Sequence, residues 1–246
     1  MAVGMVLRRG ALVGLLLVLA ACETRSISNS GYSPGYGRAS NPMYRGELSE
    51  YDVLGVDRTG GFSEADIQKA MVQKQPIVMK KGSSVLLVQS GALLADPDMV
   101  AAMEKYYTVS SFSGVPLDAP VYGEPPRAPY AQLFRMAAAK GGYETVIVYW
   151  GILESASKDL GGKAISWVPV IGGVIPDETQ HMRIRLMMAL IDVRTGQWES
   201  FSPEPFDDEA TSNQHGRAAS DLEQVALLKA KAYKATAEAV MLRYAR

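Results

Sequence analysis

One cysteine, two histidines and no surplus of positive charge are what this 246-residue sequence has least to offer. Cys22, immediately after an apolar leader, is the one cysteine, so no disulfide framework and no thiol nucleophile remain for the rest of the chain. His181 and His215 stand far apart with no His-Glu-x-x-His spacing, which leaves no zinc site of three or four ligands, and no Gly-x-Ser-x-Gly elbow accompanies either histidine as a base. Both read as bystanders. The pairs Gly60-Gly61, Gly141-Gly142, Gly161-Gly162 and Gly172-Gly173 match neither the phosphate-loop nor the dinucleotide fingerprint and read as turn residues. A formal net charge of -1 lacks the electrostatic footprint of a nucleic-acid binder. Asp207-Asp208-Glu209 reads as a solvated acidic run in a loop rather than a cation site. The sequence therefore assigns no catalytic, cofactor-binding or metal-binding residue.

What is present begins with the leader. Arg8 and Arg9 precede the apolar stretch Ala11 to Leu19, which is shorter than the about 20 residues needed to span a bilayer, so residues 1–21 read as a cleaved export signal. Leu19-Ala20-Ala21-Cys22 resembles the lipobox of bacterial lipoproteins; an ordinary secretory signal with a chance cysteine is the alternative. The resemblance implies a diacylglycerol thioether and an N-acyl group on Cys22, and several acyl chains on one residue make attachment effectively permanent. Glu23, where the corresponding sorting pattern has Asp for inner-membrane retention, leans toward the outer membrane, with the domain facing the periplasm.

Residues 22–50 are rich in Ser, Gly, Pro, Asn and Tyr and poor in aliphatic residues, which predicts an acylated flexible tether with a reach of about 30 Å. Tyr32, Tyr36 and Tyr44 read as solvated. Residues 51–246 carry the apolar periodicity of a single α/β domain. Ser63 to Asp66 forms a capping box opening a short helix with Ile67, Ala70 and Met71 along one face, and Gln75-Pro76 closes it. Lys80-Lys81 is a solvated turn before the strand Ser84 to Gln89. Asp96-Pro97 caps a helix with Met99, Val100 and Met103 inward, and Tyr106 to Phe112 is a further strand. The proline-laden stretch 114–129 is a surface loop of the kind that often binds ligands.

Ala131 to Lys140 predicts a helix capped by Gly141, and Thr145 to Leu153 a buried strand. Glu154 to Gly162 reads as a turn, and Ala164 to Ile171 as a returning strand placed at an edge or bulged by Pro169. Met182 to Ser202 is the hairpin around which the sheet is arranged, reversing at Asp192 to Gly196, with Arg183 and Arg185 at the sheet's rim. Pro203 to Gly216 reads as an acidic loop. A second capping box at Ser220 to Glu223 then opens a long final helix whose apolar stripe, from Leu222 to Val240, is interrupted by Lys229.

These elements predict an α/β fold, a two-layer sandwich in which helices pack on a mixed sheet and a long C-terminal helix ends the chain. The run TVIVYWG at Thr145 to Gly151, followed by a hairpin and by Asp192-Val193-Arg194-Thr195-Gly196, resembles periplasmic lipoproteins with an anticodon-binding-domain-like fold. That group includes the curli secretion channel lipoprotein and the lipoprotein activators of penicillin-binding proteins. The resemblance implies action through surfaces and assembly rather than catalysis. A non-enzymatic, outer-membrane-anchored component that binds an envelope protein partner is therefore expected, the membrane being reached through lipid on Cys22. An oligomeric, channel-like lipoprotein and an envelope hydrolase using carboxylates such as Glu154, Asp177 or Glu178 are the alternatives.

Overall fold

The computed structural model describes residues 25–30, 44–56, 61–117, 129–158, 165–170, 181–209 and 217–245. Its spine is a pair of long antiparallel strands, β3 (Thr145–Lys158) and β5 (His181–Asp192), paired from Thr145↔Asp192 to Ser155↔Met182. Shorter strands fill the outer edges of this pair. β1 (Ser84–Gln89) runs parallel to the first half of β3 and carries β2 (Thr108–Phe112), also parallel, on its far side. β4 (Ile165–Pro169) is antiparallel to the second half of β3, while β6 (Trp198–Phe201) and β7 (Phe206–Glu209) line β5.

Helices α1 (Glu50–Leu54) and α4 (Tyr130–Gly141) lie over the Thr145 end of one sheet face, where Val53, Phe134 and Ala138 bury against Leu86, Val88, Val146, Val148 and Ile191. Helices α3 (Pro97–Met103) and α5 (Arg217–Tyr244) cover the opposite face along its length, burying Met99, Met103, Tyr233 and Val240 against Leu87, Ile147, Met182, Ile184 and Leu186. The chain is thus the expected α/β fold, a mixed sheet with helices packed on it and a long C-terminal helix, but helices cover both faces at the Thr145 end, giving three layers there rather than the expected two. No helix among the described residues is long and apolar enough to cross a membrane.

Several local expectations hold for the reasons given. Ser63 and Asp66 complete the capping box of α2 (Glu64–Gln73), and the backbone and hydroxyl bonds from Ser63 hold the Asp66 carboxyl below its ordinary range. At the hairpin reversal, Thr195 donates from its N–H and Oγ1 to Asp192 Oδ1, both at 2.7 Å, and Gly196 adopts φ 75°. Arg135 of α4 holds that turn from outside by donating to Val193 O.

Others are corrected. Glu154 to Lys158 is not a turn but the second half of β3; its polar residues hide the alternation that an extended strand shows. Residues 206–209 form β7 rather than part of a loop. The return strand of the hairpin, β6, borders β5 on the outside, so the sheet centres on β3 and β5 instead. Gly142, with φ 77°, caps α4 in place of Gly141. Ser220 lies inside α5, which starts at Arg217. The expected inward stripe of α2 faces water: Ile67 and Met71 are exposed, and the helix buries no residue. It is attached through Gln197, whose amide accepts from Gln75 N–H and donates to Gln73 O.

Candidate functional site

Two polar assemblies stand out, one on each side of β3's outer edge. The first reaches back to the start of the chain. Between β1 and β4 the edge of β3 is occupied by Arg25 to Ile27: Ile27 N–H donates to Gly151 O at 2.9 Å, Leu153 N–H to Arg25 O at 3.0 Å, and Arg25 N–H to Val170 O at 2.8 Å. Ile27 is wholly buried in the core of the α3/α5 face. Gly151 makes room for it, since a Cβ there would lie 2.8 Å from Ile27 Cγ2 and 2.6 Å from Leu186 Cδ2.

Polar side chains lock this segment. Gln89 at the end of β1, fully buried, donates to Ser28 Oγ at 3.0 Å and accepts from Tyr149 OH at 2.6 Å and from Asp96 N–H at 2.7 Å. Ser28 Oγ donates to Ser90 O. From α5, the Lys229 ammonium donates to Ile27 O at 2.6 Å, Ser30 O at 2.8 Å and Asp96 Oδ2 at 3.0 Å, while Tyr233 OH donates to the same carboxylate oxygen at 2.7 Å. Burial pushes the Lys229 ammonium below its ordinary range, and the charge of Asp96 opposes that push. Asp96, expected as a helix cap, makes no capping bond to α3; its carboxylate is turned to Lys229 and Tyr233 instead. A second stretch, residues 44–49, is fixed in turn by Leu48 N–H to Ser90 Oγ and by Trp150 Nε1 to Leu48 O. The expectation of a flexible tether over residues 22–50 therefore fails at 25–30 and 44–50, because its sparse apolar residues, Ile27 and Leu48, are buried and its backbone is bonded to the domain.

The second assembly lies on the face of the sheet covered by α1 and α4, beyond the reach of either helix. Glu154 of β3 is only 6% exposed and accepts from two guanidiniums: Arg183 Nε at 2.5 Å on Oε2 and Arg185 Nε at 3.0 Å on Oε1. Burial pushes the Glu154 carboxyl up, and the bonds from Arg185 and Arg183 more than reverse this, leaving it below the ordinary carboxylate range. The Arg183 guanidinium also lies 4.2 Å from the ring centre of Trp167 on β4. The arginines expected at the rim are thus partly there: the Arg185 side chain is 45% exposed, but that of Arg183 only 13%. As an ionised group bonded to two fixed cations, Glu154 lacks the proton of a general acid, and its lowered basicity makes it a poor general base.

Of the other residues singled out in the sequence, Cys22, Tyr32, Tyr36, Asp177, Glu178 and His215 lie outside the described residues, as does most of the proline-rich stretch 114–129. His181 and Asp207 to Glu209 are placed by backbone pairing between β5 and β7. Tyr44 donates to Glu47. At the Asp192 end of the sheet a cleft of about 590 Å³ runs between Gln75, Lys80, Tyr143, Glu144, Asp192 and Arg194. Neither polar assembly was assigned from sequence, although each left a trace: Lys229 breaks an apolar helical stripe, and Gln89 closes an apolar strand.

No curated protein matches this chain. The pattern of the YafT bacterial lipoprotein family matches residues 49–243, which takes in Gln89, Asp96, Glu154, Arg183 and Lys229 and leaves the strapped Arg25 to Ser30 just ahead of the match. Since that match spans the whole sheet and nearly all of α5, the chain belongs to the YafT bacterial lipoprotein family, and is a lipoprotein of the bacterial envelope.

Proposed function

We propose that this lipoprotein is acylated at Cys22, anchored in the outer membrane facing the periplasm, and works as a non-enzymatic component that binds or assembles an envelope protein partner. The lipobox and Glu23 support the anchor and its destination. The observation that carries the non-enzymatic reading is Glu154: of the three carboxylates weighed for a hydrolase it is the one among the described residues, and it is committed to Arg183 and Arg185. The likeness to the curli secretion channel and penicillin-binding-protein activator lipoproteins points the same way, toward work done by a folded surface.

The test is crosslinking of the full-length protein in intact envelopes, with membrane fractionation and the size of the bait's own complexes read together. The expected result is one stoichiometric envelope protein crosslinked to a monomeric bait in the outer-membrane fraction. A ring-sized homo-oligomer without such a partner overturns the adaptor reading in favour of a channel. Release of fragments from peptidoglycan by the purified protein, lost in Glu154→Gln, overturns it in favour of a hydrolase.

A further inference from the structure

The cleft at the Asp192 end of the sheet, about 590 Å³ in volume, takes no part in either polar assembly. Its walls include three turns whose backbones are fixed. In the first, Ser83 N–H donates to Lys80 O at 3.0 Å and Gly82 N–H to Tyr106 O at 2.7 Å. In the second, Glu144 N–H donates to Ser84 O at 3.0 Å, while Glu144 O accepts from Val193 N–H at 3.0 Å and so joins the third, the Asp192 to Gly196 reversal. A charged side chain stands on each turn: Lys80, Glu144 and Arg194, all exposed. None of these three side chains makes a hydrogen bond or ion pair among the described residues. Asp192 adds a fourth charge, held in place by the two bonds from Thr195 to its Oδ1.

The order of the charges limits what the cleft can hold. β1 and β5 flank β3, so the turns that carry Lys80 and Arg194 belong to strands two spacings, about 10 Å, apart, and Glu144 at the start of β3 lies between them. A purely anionic ligand meets Glu144 and Asp192, a purely cationic one meets Lys80 and Arg194, and an apolar one strips water from four charges without replacing it. A ligand of both signs pairs with each. The volume falls within the range of ligand sites, about 300–1,000 Å³. Three or four residues of extended peptide span about 10–14 Å, which reaches from one cation-bearing turn to the other. The Tyr143 hydroxyl and the Gln75 side-chain amide, also without a bond among the described residues, supply donors and acceptors for peptide groups between the charges.

We propose that the cleft beside Asp192 binds a short extended peptide, about three or four residues long, that carries carboxylate and ammonium groups together. Its carboxylates meet Lys80 and Arg194, and an ammonium between them meets Glu144. The three turns are already in place, so binding orders side-chain heads rather than backbone, which keeps its entropic cost low. This site depends on neither the Cys22 anchor nor the protein partner proposed above, so its failure leaves both standing.

The test is equilibrium dialysis of the full-length protein in detergent against the tetrapeptide Glu-Lys-Glu-Lys with free termini, with tetraglutamate and tetralysine as single-sign comparisons. The mixed peptide is expected to bind saturably with a Kd of about 1 mM or tighter, and the other two at least about tenfold more weakly. Lys80→Ala, Glu144→Gln and Arg194→Ala each weaken the mixed peptide about threefold, the loss of one solvent-exposed ion pair. Lys81→Ala, next in the chain but outside the cleft, leaves it unchanged. A water-soluble carbodiimide, which joins a carboxylate to an amine as an amide with loss of water, is expected to fix the bound peptide on Lys80 and Glu144, read by peptide mass mapping. Absence of saturable binding up to about 10 mM overturns the inference. So does a mixed peptide held no more tightly than tetraglutamate or tetralysine, or one whose binding survives all three cleft substitutions together.

Discussion

Replacing Lys229 with methionine tests the claim that the N-terminal segment is part of the folded domain. The substitution keeps the length and apolar stem of the side chain but removes an ammonium that makes bonds of 2.6, 2.8 and 3.0 Å. Breaking a buried ion pair from one side costs about 3–5 kcal/mol, since the partner is left buried and unpaired. Here Asp96 keeps the Tyr233 hydroxyl and its side chain is 15% exposed, and methionine escapes the burial penalty that lowers the Lys229 pKa. The carbonyls of Ile27 and Ser30 still lose a charged donor each, at about 1–3 kcal/mol for a buried group left unpaired. The expected loss is about 2–3 kcal/mol, concentrated where those carbonyls sit.

Urea unfolding read by far-ultraviolet circular dichroism gives the global figure, and amide exchange at Arg25, Ile27 and Leu153 gives the local one. Exchange at these three is expected to accelerate more than at Val85 or Ile147 in the middle of the sheet. The charge also sets a pH dependence. Because the fold lowers the Lys229 pKa from 10.5, the unfolded chain binds the extra proton over the interval just below that value. Stability from this group therefore rises with pH through that interval, a rise that Lys229→Met lacks. A variant within about 0.5 kcal/mol of wild type, with unchanged exchange at Ile27, refutes the strap, since that is the range of an inconsequential surface change.

Gly151→Val puts side-chain atoms where Ile27 and Leu186 already sit, so a loss of about 1–3 kcal/mol with faster exchange at Ile27 is expected from the same two measurements. Below neutral pH the relevant group is Glu154: its folded pKa is depressed, so its contribution is present above the unfolded value and lost as pH falls through the folded one. Acid unfolding of Glu154→Gln, less stable than wild type at neutral pH, should show a shallower slope in that range. Tyr107 has a buried hydroxyl without a hydrogen-bond partner, and burial pushes it up to about 12. Tyr107→Phe is expected to be neutral or stabilising by about 1 kcal/mol, and to remove the loss of stability that wild type shows as pH rises from 10 toward 12.

What could be read from the sequence was whatever is settled within a few residues. The Asp192 to Gly196 reversal, the Ser63 capping box and the strand Ser84 to Gln89 depend on a carboxylate meeting a nearby N–H or on an unbroken apolar run, and each is where the sequence put it. The second half of β3 was missed because Glu154, Ser155 and Lys158 carry no strand pattern; pairing with β4 holds them extended, and for Glu154 and Ser155 pairing with β5 does so as well. The strap was missed for a stronger reason. Ile27 looks like a stray apolar residue in a polar stretch until Gly151, more than a hundred positions later, leaves the space that accepts it. Lys229 is the counterpart: a charge inside an apolar helical stripe costs stability unless a partner reaches it, and here the partners are Asp96 and two carbonyls at the other end of the chain. A lone charge in a stripe and a lone aliphatic in a polar stretch are each weak signals. Together they are what a long-range strap leaves in a sequence, because each is unfavourable until the other is in place. The same pairing shortens the path from Cys22 to the fold from a free reach of about 30 Å to at most about 11 Å.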